Sequence, residues 1–113
     1  MHVMPYREIQ GKPITTNDVK GVTIRIAAGP EQGAPNFTMR VFTINPGGYS
    51  PIHQHPYEHE VFIHSGAGEV EYEGKVKPVS SGTVAYIPPG AKHQFRNTGS
   101  EDLVFICVVP KGI

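Results

Sequence analysis

The chain has 113 residues, with 10 Lys plus Arg against 10 Asp plus Glu, so its formal net charge is zero with neutral His. That length suits one ordinary domain, and the even balance speaks against the basic footprint of a nucleic-acid or anionic-membrane binder. No apolar run comes near the ~20 residues of a membrane span, no secretory h-region follows Met1, and the single cysteine, Cys107, cannot form an internal disulfide; a cytoplasmic protein is expected.

The 13 Gly and 11 Pro are about double the ordinary share. With 38% hydrophobic residues in short runs and no net charge, they signal frequent turns and not disorder. Residues 1–20 are mixed and polar, with Pro5 and Pro13, and read as an irregular arm before a domain over 21–113. Val22–Ile26 alternates with period two, which predicts a half-buried strand. Phe37–Ile44 is a second strand, rich in β-branched and aromatic residues. Asn45-Pro46-Gly47-Gly48 reads as a turn. Further strands are predicted at Ile52–His55, His59–His64, Ala67–Tyr72, Lys75–Val79, Thr83–Ile87, Gln94–Arg96 and Leu103–Val109, separated by Gly-, Pro- and Ser-rich breaks. No window shows amphipathic helical spacing. Many short strands with regular turn signals predict an all-β sandwich or barrel.

The histidines carry the chemical signal. His53, His55 and His59 lie close in sequence, and His93 follows Pro88-Pro89-Gly90. On a strand, side chains two apart share a face, so His53 and His55 would converge. A strand–turn–strand path could bring His59 back over the same face. Neutral imidazole is the commonest protein ligand for divalent transition metals. A lone His is more often ordinary packing; a cluster of this kind favours metal.

Gly47, His53, His55, His59 and Gly66, in that spacing, resemble the first motif of the cupin superfamily. Gly82, Pro88, Gly90, His93 and Asn97 resemble the second. Most cupins carry Glu where this chain has His59. Ala34–Arg40, His55-Pro56-Tyr57-Glu58-His59-Glu60 and Cys107 add likeness to small stand-alone cupins that hold manganese with four histidines. The resemblance implies a single-domain jelly-roll β-barrel, a homodimer, and metal ligands His53, His55, His59 and His93. Glu60 is the alternative fourth ligand, but strand parity sets it on the face opposite His59, so a β-bulge would be needed to turn it inward. Glu58 and Glu60 otherwise suit solvent, or a hydrogen bond that orients an imidazole ring.

Four imidazoles add no negative charge, so such a site keeps the ion's full +2 and favours anions. Octahedral coordination would leave two open positions. Affinity alone suits Fe, Ni, Cu or Zn better than Mn, so manganese rests on the resemblance. A closed four-coordinate zinc would be structural. Arg40, mid-strand among apolar neighbours, is a candidate to steer an anionic substrate. Cys107 lies in a segment apolar on both faces, where a buried structural thiol is expected; the resemblance turns Phe105, Cys107 and Val109 towards the metal cavity. The tyrosines suit rim packing, Asn97 a turn and His64 the surface. The function expected first is a Mn(II)- or Fe(II)-dependent, dioxygenase-like oxidoreductase for a small anionic or enolisable substrate. The alternatives are a redox-neutral Lewis-acid isomerase or decarboxylase, and a non-catalytic module that binds a small ligand on its metal. The strand Val22–Ile26 is apolar enough to pair across a two-fold axis in the expected dimer.

Overall fold

Period-two alternation carries most of the chain into strands. The computed structural model describes residues 1–111; Gly112 and Ile113, the last two positions of the expected domain, lie outside the described residues. The strands are β1 (Lys12–Pro13), β2 (Lys20–Ala28), β3 (Phe37–Tyr49), β4 (His59–Ser65), β5 (Ala67–Tyr72), β6 (Lys75–Ser80), β7 (Val84–Ile87), β8 (His93–Arg96) and β9 (Leu103–Pro110). Short 3-10 turns at Tyr6–Glu8 and Pro30–Gln32 are the helical segments among the described residues. Strand β4 shows the rule most plainly: His59, Val61 and Ile63 are buried while Glu60, Phe62 and His64 are exposed.

All strand pairs are antiparallel, in the order β6-β5-β8-β3-β9-β4-β7, with β2 on β3 and β1 on β2. This is an all-β jelly roll. Strand β3 pairs with β9 from Phe37 to Ile44, then reaches β8 through Tyr49 and Arg96. It thereby joins the β6-β5-β8 and β9-β4-β7 parts of one continuous sheet. Ile44, Ile63, Leu103 and Val109 are fully buried in the core, with Val22, Val61, Val70, Val79, Ile87, Phe95 and Phe105 around. Each such side chain contributes about 1.5–3 kcal/mol on burial.

Three local expectations change. Asn45–Gly48 does not end β3. Lys20 pairs with Tyr49 and Val22 with Ile44, so the turn-type residues form a wide bulge opposite Gly21, and the strand resumes. Ile52–His55 is not a strand. Only His53 makes a bridge, exchanging both backbone hydrogen bonds with His93 at 2.9 Å. Pro51 and Pro56 flank the segment and supply no N–H for a ladder. Val22–Ile26 is not a free edge either: Thr23 and Ile24 pair with Pro13 and Lys12, and the other side pairs with β3. The arm that provides β1 is tied down by hydrogen bonds from Arg25 Nε to the Ile9 carbonyl (3.0 Å) and between His2 Nε2 and the Ala27 carbonyl (2.8 Å).

Candidate metal centre

Backbone constraints place the four imidazoles before any ligand is considered. His59 opens β4 on its inner face, and His93 opens β8 opposite the His53 bridge. His55 is held from behind, because its carbonyl accepts the Gly90 N–H at 2.6 Å. Gly90 turns the Pro88-Pro89 segment with φ +79°, a conformation that costs glycine little. The backbone therefore ties the His53–His55 segment to the segment carrying His93.

The rings gather around one cavity. Ring centres are 4.7 Å apart for His53–His55, 5.1 Å for His55–His59, 5.0 Å for His59–His93 and 6.0 Å for His55–His93. Four imidazoles on one ion, with metal–nitrogen distances of about 2.1 Å, would set their centres roughly 4.5–6.5 Å apart. As placed, no three His, Cys, Asp or Glu side chains among the described residues are drawn tightly enough to hold an ion. Spacing between ring centres and the aim of individual nitrogens are different tests. The first fits a shared ion; the second is not met as the rings are placed.

Individual nitrogens add to the fit. His93 Nδ1 lies 2.9 Å from the Ala91 carbonyl; an Nδ1–H donating there leaves the Nε2 lone pair free. His59 Nε2 is buried with no hydrogen-bond partner, while its Nδ1 lies 3.2 Å from Cys107 Sγ. An orphaned, desolvated imidazole nitrogen is costly unless something binds it, and a divalent ion is a partner of the right chemistry. Burial, then the neighbouring His93 and Arg40, hold His59 down to about 3. Burial also lowers His53, followed by His93, and lowers His55, followed by His53. These three rings are thus kept neutral at pH 7, the form that donates a lone pair.

The cavity as a whole has a volume of about 260 Å³, and no carboxylate lines it among the described residues. Phe42 and Phe95 stack on Phe105 at 5.1 and 4.6 Å. Tyr57 stacks on His55 at 4.8 Å, and burial raises its phenol. Arg40 lies on the inner face of β3, its guanidinium 5.1 Å from the Phe42 ring centre. Its Nη2 lies 3.2 Å from Cys107 Sγ and 3.4 Å from His59 Nδ1, and its Nε is buried without a partner among the described residues. Cys107 is 3% exposed, and burial pushes its thiol up, opposed by Arg40. Arg40, Cys107 and Phe105 all line the cavity; Val109 packs in the core.

Glu60 is exposed on the outer face of β4, paired between Tyr86 and Val108 with no bulge at its position. It does not reach the cavity. Neither Glu58 nor Glu60 orients an imidazole; the group found beside His59 is the Cys107 thiol. Asn97 is buried and donates from Nδ2 to the Ile44 (2.7 Å) and Glu101 (2.8 Å) carbonyls, while Oδ1 accepts the Gly99 N–H. His64 is exposed on the outer face, edge-on to Tyr6. Sequence reasoning missed the Phe42–Phe105–Phe95 stack and the contributions of Ile14 and Ile24 to the lining. Inward parity on β2, β3, β8 and β9 is a sequence signal for Ile24, Phe42, Phe95 and Phe105; Ile14, between β1 and β2, carries none.

Comparison with known proteins agrees with this architecture. The Cupin domain family matches residues 40–109. Protein SchB of Streptomyces halstedii is 34% identical over 107 residues, covering 87% of this chain and 78% of that protein. The structure of the polyketide cyclase RemF from Streptomyces resistomycificus superposes with a TM-score of 0.90 at 25% identity, over 97% of this chain and 79% of that one. A predicted oxalate decarboxylase from Thermotoga maritima gives a TM-score of 0.85 at 26% identity, over 96% and 98% of the two chains. The matched stretch runs from Arg40 to Val109 and so takes in all four clustered histidines: this chain belongs to the Cupin domain family.

Proposed function

We propose that the protein is a metal-dependent enzyme that activates a small, anionic, enolisable carbonyl compound without net oxidation. His53, His55, His59 and His93 would hold one divalent ion, with manganese suggested by the four-histidine resemblance. When bound, that ion would supply Lewis-acid charge at a substrate carbonyl oxygen. The observation that carries the reading is the buried Nε2 of His59 among the four clustered rings, beside an Arg40 guanidinium whose Nε, like that Nε2, has no partner among the described residues.

This chain's own residues divide the remaining work. Arg40 presents a fixed cation to a carboxylate, and the Phe42 ring beneath it limits competing water. Phe95 and Phe105 form a flat apolar wall suited to a planar enol or enolate. No carboxylate lines the cavity among the described residues; Tyr57, stacked on His55 with its phenol held protonated by burial, would donate a proton to the enolate carbon and recover its own from solvent. Support from the relatives is of the same chemical kind. One is named for cyclising a polyketide and another, a predicted oxalate decarboxylase, for oxalate.

The test is α-proton exchange in deuterated buffer. Protein loaded with Mn(II) or Co(II) is incubated without oxygen with acetoacetate, oxaloacetate and neutral 2,4-pentanedione, and deuterium uptake is read by mass spectrometry. Metal-dependent exchange is expected, with a preference for the two acids that Arg40→Met reduces by 10-fold or more. No exchange above the metal-free protein would overturn the proposal. Turnover that appears only on admitting oxygen would return the protein to the dioxygenase-like reading.

A further inference from the structure

Three groups from three adjacent strands meet on one sulfur. Arg40 of β3 is the direct cross-strand partner of Cys107 on β9, and Cys107 is in turn paired with Val61 on β4, two residues after His59. Sγ lies 3.2 Å from Arg40 Nη2 and 3.2 Å from His59 Nδ1, while the two nitrogens are 3.4 Å apart. A guanidinium only donates. An imidazole whose Nε2 lone pair goes to a metal carries its proton on Nδ1, so it donates there too. Two donors so close to each other require a common acceptor, and the sulfur is the acceptor within reach of both.

We infer that Cys107 is a positioning residue: its sulfur accepts hydrogen bonds from His59 Nδ1 and from Arg40, fixing the ligand's tautomer and the guanidinium's place together. The inference rests on the four-histidine reading above and adds the coupling between metal ligand and anion anchor. A thiol suits this position because it can also reverse the bond. With the ring in its other tautomer, S–H donates to the bare Nδ1, and Nε2 carries the proton. Loading the metal therefore exchanges which partner donates, with no change in net charge at the sulfur. Valine, similar in size, can do neither.

The experiment is calorimetric titration of chelator-treated full-length protein with Co(II), with visible spectra of the loaded forms, for wild type, Cys107→Val and Cys107→Ser. Loss of a ligand-orienting partner commonly weakens metal binding about 10–100-fold. Cys107→Val should show a loss in that range and a shifted Co(II) spectrum, and Cys107→Ser should recover most of both. Equal affinity and identical spectra in wild type and Cys107→Val would overturn the inference while leaving the metal site intact. A wild type that takes up no Co(II), Mn(II) or Zn(II) would overturn the underlying reading and the inference with it. If the valine variant does not fold, long-range 1H–15N spectra of Zn(II)-loaded wild type decide. A protonated His59 Nδ1 is expected, and a bare or metal-bound Nδ1 overturns the inference.

Discussion

At the scale of the residue, His59 concentrates the argument. The residue is 6% exposed, and its proton affinity is held down to about 3 against an ordinary 6.5. Burial is the first cause, with His93 and Arg40 adding repulsion. The consequence for stability has a definite sign. The unfolded chain binds the His59 proton below about 6.5 and the folded chain does not until about 3, so the unfolded state gains as pH falls. The contribution is fully present above 6.5 and is lost progressively on the way to 3. Urea unfolding of chelator-treated protein should therefore show stability declining from pH 7 to about 5, before carboxylates titrate appreciably. His59→Gln should flatten that part of the profile. Parallel profiles for wild type and variant would show that the ring is not held neutral by the fold.

At the scale of the element, the strands were legible and the connections less so. Alternation at His59–His64 and β-branched content at Phe37–Ile44 placed β4 and the first part of β3. Asn45–Gly48 carried a true break signal, but local turn chemistry does not distinguish a chain reversal from a bulge through which pairing continues. His53-x-His55 was read through strand parity, whereas the flanking prolines leave that segment outside any sheet and a bridge to His93 does the positioning. For Cys107 the limit is physical. Strand β9 lies between β3 and β4 and is apolar on both sides, so periodicity could not show that its sulfur faces Arg40 and His59. Asn97 shows what a small motif residue can do after β8. Its amide satisfies the carbonyls of Ile44 and Glu101 and the N–H of Gly99. Asn97→Ala leaves these groups without that partner and should cost about 2–4 kcal/mol, measured by urea denaturation. A loss below about 0.5 kcal/mol would mean that water replaces the amide freely.

At the scale of the whole molecule, the jelly roll brings together histidines from the β3–β4 connection, the start of β4 and the start of β8. No single element holds the cluster, and the strands of one continuous sheet, folded around Ile44, Ile63, Leu103 and Val109, frame it. Arg40 and Cys107 lie beside the rings, in contact with each other and with His59. The account depends on these four imidazoles sharing one ion. The most direct measurement is a diffraction experiment on Mn(II)-loaded crystals with anomalous scattering recorded at the manganese edge. The account predicts one anomalous peak per chain, about 2.0–2.3 Å from a nitrogen of each of His53, His55, His59 and His93, with Glu60 remote from it. An absent peak under saturating Mn(II), or a peak bound by Glu60 in place of His59, would contradict it.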